Sequence, residues 1–223
     1  DGRPVVSPTQ DMVIGTYYLT LEKEGAKGEG KVFIDADEVI MAYQQGEVEL
    51  HARVKMRVTR EIDGERVNKL IDVTPGRVIF NEAIPQDLGF KDRTDEEEIF
   101  DLEINTVVDK GMLSDIVDNC YRKYGATQTS VILDRIKELG FRYSTKGGIT
   151  VSVTDIKVPA EKTEVLEVAD EEVKGVEQQY RRGLISDDER YERVIGVWNE
   201  ASDQVTTALL DNLDVFNPVY MMS

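Results

Sequence analysis

Hydrophobic positions change their spacing along this chain, and the change divides it. Residues 12–20 (MVIGTYYLT) are rich in β-branched and aromatic side chains and predict a strand. Residues 24–31 (EGAKGEGK) predict a glycine-rich loop. A helix is predicted over 35–45, capped by Asp35 or Asp37 and stopped by Gly46. In HARVKMRV, His51, Arg53, Lys55 and Arg57 alternate with Ala52, Val54, Met56 and Val58. Period two predicts a half-buried strand over 51–59, with His51 on its polar face. Asp63-Gly64 then predicts a hairpin turn, 65–73 the returning strand and 76–80 a further short one. Residues 86–105 are polar and acidic and predict a surface excursion. Ile116, Val117, Cys120 and Tyr124 fall at helical spacing, predicting a helix over 109–124 that Gly125 stops. The same grammar predicts a helix over 128–139, ended by Gly140, and 148–156 (GITVSVTDI) predicts another strand.

After Pro159 the pattern is different. Leu166, Ala169, Val173, Val176 and Tyr180 are spaced 3, 4, 3, 4, a heptad seam. Gly183-Leu184-Ile185 predicts a tight tip, and Ser186 with Glu189 a capping box. Tyr191, Val194, Trp198, Ala201 and Val205 repeat the seam, which predicts a buried Trp198. Two such helices joined by a short turn pair antiparallel, as an arm roughly 33 Å long over 161–182. The expected fold class is therefore α+β: a mixed sheet-and-helix body over 1–157, then a projecting antiparallel helical hairpin, a coiled coil, within 158–223.

Composition removes several function classes. The chain has one cysteine, Cys120, and one histidine, His51, so an internal disulfide, a Cys-rich zinc site and a histidine-based triad off a strand face are all disfavoured. A lone cysteine also points to a reducing compartment. No apolar run approaches the ~18 residues a membrane span needs. The net charge of −17 argues against binding nucleic acid by phosphate contacts and favours basic partners. The acids cluster over 95–98, 170–172 and 187–189, which solvated surface alone would explain.

Motifs for independent catalysis are missing. GAKGEGK lacks the Gly-Lys-Ser/Thr ending of a phosphate loop, since Val32 and Phe33 follow Lys31. There is no Gly-x-Ser-x-Gly elbow and no Asp-x-Asp-x-Asp cluster for paired metals. No catalytic or metal-ligating residue is expected here.

Several stretches do carry a resemblance, in order along the whole chain. They are Ser7-Pro8-Thr9-Gln10-Asp11-Met12-Val13, Gly28-Glu29-Gly30, Leu50-His51-Ala52-Arg53-Val54, Thr74-Pro75-Gly76-Arg77-Val78, Gly140-Phe141-Arg142-Tyr143, Gly183-Leu184-Ile185-Ser186 with Glu189-Arg190-Tyr191, and Phe216-Asn217-Pro218-Val219-Tyr220-Met221-Met222-Ser223. The ordered set resembles the β′ subunit of bacterial DNA-dependent RNA polymerase, with 95–98 its least family-like part. The resemblance implies an internal segment: a pore domain over 1–157 and a funnel domain with rim helices over 158–223. The start at Asp1 without Met, and the stop after Met221-Met222-Ser223, are expected of such a segment. The family's Mg²⁺-binding Asn-Ala-Asp-Phe-Asp-Gly-Asp motif would lie upstream, so no cofactor is expected in this chain. The rival expectation is a free-standing coiled-coil adaptor whose body only anchors the arm.

What the resemblance implies for function is passage and docking within a cytoplasmic, nucleoid-associated nucleotidyltransferase. The segment would line the secondary channel through which nucleoside triphosphates enter and backtracked RNA is extruded. It would contact the β, α and ω subunits. Gre-type cleavage factors or DksA-like factors would grip the rim. By position, Gln10, Met221 and Met222 match residues near the incoming nucleotide. Arg182, Glu189, Glu192 and Arg193 match the hairpin surface that factors use, and Asp134 and Glu138 the neighbouring helix. Glu192-Arg193 replaces an Asn-Lys of some relatives and Glu138 an aromatic, which weighs against a DksA-linked guanosine tetraphosphate site.

Overall fold

The computed structural model describes residues 7–62, 65–95 and 98–222, and the chain divides into two compact units, Asp1–Ile149 and Thr150–Ser223. The Asp63-Gly64 turn and part of the 95–98 acidic cluster lie outside the described residues, as do residues 1–6 and Ser223.

In the first unit the elements run α1 (Asp11–Thr20), β1 (Val32–Phe33), α2 (Ala36–Gln44), β2 (Val54–Ile62), β3 (Glu65–Val73), α3 (Pro75–Ala83) and α4 (Lys110–Gly147). β1 pairs parallel to β2, which pairs antiparallel to β3 in a register that matches Val54 with Val73 and Ile62 with Glu65. The α+β class of the body is as the sequence predicts. Asp35 caps α2 by accepting from the Glu38 N–H at 2.9 Å, and Gly46 follows it at φ 72°.

Four predicted strands are different in the structure. Residues 12–20 form the helix α1, because the segment is built for a close helix crossing. A Cβ built on Gly15 would fall 1.8 Å from the Gly140 carbonyl oxygen, and one on Gly140 would fall 2.7 Å from Cα of Met12. Thr16 and Thr20 bury fully by bonding back to the Met12 and Thr16 carbonyls at 3.0 and 2.9 Å. Gly140 therefore does not end a helix; it is a contact point inside α4, which runs on to Gly147. The predicted stop at Gly125 survives as a kink, with φ 71° and ψ 179°.

Residues 76–80 are also helical. Thr74 caps α3 by accepting from Arg77 N–H at 3.2 Å, and Pro75 fills the first-turn position whose N–H has no partner. The β2 strand starts at Val54, so His51 is not on a strand face but in the turn before it, 8% exposed. Residues 148–156 form no strand: among the described residues the sheet has three strands, and only a 3-10 turn at Val153–Asp155 appears here. Val151 and Val153 face outward, which removes the half-buried surface a strand needs.

Two apolar clusters fill this unit. One gathers Leu19, Phe80, Leu113, Ile116, Cys120 and Ile136; the other packs α2 and the sheet around Val39, Val54 and Val73. The predicted acidic excursion is partly a lining of this core. Leu88, Phe100 and Ile104 are buried, and so is Glu103, which pairs with Arg93 at 2.6 Å and accepts from Phe90 N–H at 2.8 Å. The Asn81 amide donates to the Ile104 carbonyl at 2.6 Å and accepts from its N–H at 3.1 Å, tying the same segment to α3.

The second unit contains α5 (Lys162–Arg181), α6 (Asp187–Asp211) and α7 (Pro218–Met222). Five residues link α5 to α6, and Gln179 and Ala169 face Arg193 and Ala201 respectively, so the pair is the predicted antiparallel hairpin. Its seam is thinner than predicted. Of the seam residues only Ala169 and Ala201 are buried, with Val173, Val176, Val194, Val197 and Val205 half-buried. Val197 takes the inward position expected of Trp198, which is 37% exposed, and Tyr191 is 61% exposed. Small side chains let the helices approach; the indole would hold them apart and lies on the flank.

Candidate functional site

The hairpin tip is held by its own side chains. Arg182 ends α5 and Gly183 turns the chain at φ 71°. Ser186 then starts α6. Its hydroxyl accepts from Glu189 N–H at 3.2 Å, while the Glu189 carboxylate accepts from Ser186 N–H at 2.8 Å. The Ser186 N–H first, and the Ser186 hydroxyl donating to the same carboxylate at 3.2 Å second, hold the Glu189 carboxyl below the ordinary glutamate range. Glu189 is therefore a structural cap as well as a charge at the tip. Arg193 donates to Gln179 Oε1 across the hairpin at 3.0 Å, and Glu192 beside it is exposed.

Three further residues shape this surface, and none of them is among the docking residues expected from the sequence. Arg190 pairs with Asp187 at 2.8 Å and lies over the Tyr180 ring at 5.3 Å. The Asp187 partnership raises the guanidinium above its usual value. The Asp-x-x-Arg spacing was the available signal for the ion pair. The arginine-tyrosine contact had none, because it crosses from one helix to the other. The tip thus offers Arg182, Glu192 and Arg193 on a turn whose backbone is fixed by a cap and by two cross-hairpin contacts.

Asp134 and Glu138 lie on exposed positions of α4 in the first unit. Asp134 pairs with Lys137 at 2.6 Å, and Glu138 lines a cleft toward α2. Gln10 precedes α1 and is the only non-glycine residue with positive φ among the described residues, at φ 51° and ψ −124°. Holding a glutamine there costs about 1–3 kcal/mol. Its carbonyl accepts from Val13 and Ile14 N–H groups at 2.9 and 3.1 Å, while its exposed side chain makes no capping bond.

Met221 and Met222 form the end of α7 in the second unit, half-buried and 45% exposed respectively. Asn217 fixes this helix, accepting from Val219 N–H at 2.9 Å and donating to the Asp155 carbonyl at 2.8 Å. Gln10 and the two methionines belong to different units. The buried Cys120 thiol is pushed up to about 11 by burial, so it stays protonated and inert. Among the described residues no helix is long and apolar enough to cross a membrane.

Comparison with known proteins covers both units. Residues 1–156 match the family model for RNA polymerase Rpb1, domain 3. The whole chain is 56% identical over 223 residues to the DNA-directed RNA polymerase subunit beta′ of Acetivibrio thermocellus, 57% to that of Thermoanaerobacter pseudethanolicus and 55% to that of Clostridium novyi. In each case 100% of this chain aligns with 19% of the relative, so the chain spans about a fifth of their length.

Proposed function

The chain belongs to the β′ family of bacterial DNA-directed RNA polymerase, and from that premise we propose that it is the pore and funnel segment of a nucleotidyltransferase in the bacterial cytoplasm. In this reading residues 1–157 line the secondary channel and residues 158–223 form its rim. Nucleoside triphosphates pass inward and a backtracked RNA 3′ end outward. The reading assigns no metal ligand to this chain; the catalytic Mg²⁺ belongs to an aspartate motif elsewhere in the subunit. The partners are the β, α and ω subunits and a channel-binding factor of the Gre or DksA kind.

The observation that carries the docking role is the pre-organised tip. A surface whose cap and cross-hairpin bonds are already made loses little freedom on binding. Its exposed charges, Arg182, Glu192 and Arg193, supply complementarity that acts on association rate and specificity. Gln10 supports the channel role differently: backbone strain kept at an exposed polar residue is a signature of functional positions. Met221 and Met222 offer an adaptable apolar surface on the same reading. The similarity covers the body as fully as the arm, so nothing favours an adaptor with an idle anchor.

The test uses polymerase assembled with a β′ subunit that carries this chain. Arg182→Glu with Glu192→Lys reverses the sign at two exposed tip positions and leaves both the Ser186–Glu189 cap and the Arg193–Gln179 bond intact. Binding of a Gre-type factor should weaken about tenfold, the scale of one charge-assisted bond, and basal elongation should persist. Normal factor binding with impaired elongation would sink the docking assignment.

A further inference from the structure

A cleft of about 620 Å³ opens in the first unit between α2, α3 and the second half of α4. Ile40, Ile79, Ala83 and Leu139 give it an apolar floor. One wall is a stripe along α4. Arg142 and Lys146 are one helical turn apart, and Arg135 lies about two turns back. Lys146 Nζ is 3.4 Å from the Tyr43 hydroxyl and sits 5.4 and 5.3 Å from the Tyr43 and Tyr143 ring centroids. Neither Arg135 nor Arg142 forms an ion pair among the described residues. In a chain of net charge −17, this wall gathers Arg135, Arg142, which lies 6.0 Å over the Tyr143 ring, and the tyrosine-held Lys146. The other polar lining groups are Gln44, Glu82 and Glu138. Burial first, and Asp37 second, push the Glu82 carboxyl above the ordinary range, as a poorly solvated cleft would.

We propose that this cleft is a binding site for a small amphiphilic monoanion: a carboxylate held at Arg142, Lys146 and the Tyr43 hydroxyl, with an aryl or alkyl body over Ile40, Ile79, Ala83 and Leu139. The volume and the mix of apolar floor with few polar groups are those of small-molecule sites. The charge count selects a monoanion. Three cations against Glu82 and Glu138 leave one net positive charge, which a single carboxylate neutralises, whereas a dianionic phosphate ester would leave the filled cleft with an uncompensated negative charge. An arginine fork beside a lysine suits a carboxylate.

The experiment is a saturation-transfer NMR titration of 3-phenylpropionate, with 3-phenylpropan-1-ol as its neutral counterpart. It is run on polymerase assembled with a subunit carrying this chain. The carboxylate should bind saturably. The alcohol should bind at least about tenfold more weakly, and so should the carboxylate to the Arg142→Gln, Lys146→Gln double variant. Leu139→Trp should fill the floor and abolish binding with an unchanged melting profile. If that half-buried substitution disturbs folding, the double variant decides, since both of its side chains are exposed. Absent binding, equal affinity for acid and alcohol, or affinity unaffected by the double variant would each overturn the proposal.

Discussion

In the first unit Gly15, Gly76 and Gly140 sit where backbone meets backbone, with Gly76 placed so that a Cβ would fall 1.8 Å from the Leu19 carbonyl oxygen. In the second unit Gly175 and Gly196 lie within paired helices with nothing within 4 Å of an added Cβ. The same residue has opposite meanings in the two. The body uses glycine to bring helices into contact, and its stability comes from dense packing around Phe80 and Ile136. The hairpin buries two alanines along its seam, so its stability rests on helix propensity, a cap and surface pairs. The body is therefore sensitive to volume, and the hairpin to local helix chemistry.

The largest test of that contrast compares two aromatic truncations. Phe80 is 0% exposed, and Phe80→Ala should destabilise the body by about 3–5 kcal/mol. Trp198 is 37% exposed, and Trp198→Ala should cost the hairpin about 1–2 kcal/mol. Denaturant unfolding followed by circular dichroism measures both. Equal losses would mean that the hairpin has a real core and the contrast is false.

Glycine-to-alanine substitution should change sign between the units. Gly15→Ala forces two helices apart and should cost about 3 kcal/mol. Gly175→Ala or Gly196→Ala removes a flexible residue from an open helix position and should add about 0.5–1 kcal/mol. Trp198 is the only tryptophan, so its fluorescence reports hairpin melting, and hydrogen exchange of α1 amides reports the body. A destabilised hairpin in Gly175→Ala would show that the position is packed after all.

Which of these features the sequence revealed follows the same division. The hairpin was legible because its signals are local: heptad spacing, a Ser-x-x-Glu box and a glycine at the tip. Trp198 was misplaced because a heptad count treats every seam position alike, while the spacing between helices is set by the smallest pairs, Ala169 and Ala201. The body hid its helices. The α1 segment carries strand-forming residues, and the close packing that accompanies its helix is against Gly140 and Gly76, both far away in sequence. His51 was assigned to a strand face by alternation, although the strand begins three residues later. Of the candidate site, the charged residues of the tip could be named from spacing and resemblance. The Arg190–Tyr180 stacking and the strain at Gln10 required coordinates.

A smaller effect tests the cap. Ser186→Ala leaves Glu189 N–H without its partner at the start of α6 and should cost about 1 kcal/mol of hairpin stability. The body's melting should not move. An unchanged hairpin would mean that the tip is ordered by its cross-hairpin contacts alone.

The finest discrimination uses pH, because the chain has one histidine and it lies in the body. His51 Nε2 is 2.8 Å from the Tyr18 carbonyl oxygen, an acceptor, so the neutral ring carries its proton on Nε2. The ring also meets Tyr18 edge-on at 4.7 Å. Burial lowers the His51 pKa below 6.5, outweighing the opposing effect of the Tyr18 hydrogen bond. Below that value the unfolded chain binds a proton that the folded body resists. Body stability should therefore fall as pH drops from 7 through 6.5, and level off only below the folded value. His51→Gln keeps a donor for the Tyr18 carbonyl without a titrating ring and should flatten that slope. Over the same range the hairpin should not respond, since Glu189, held below the ordinary glutamate range, loses its charge only at more acidic pH. A hairpin transition that tracks the body's between pH 7 and 5.5 would mean that the two units unfold as one, and that the body's sensitivity to packing reaches the hairpin.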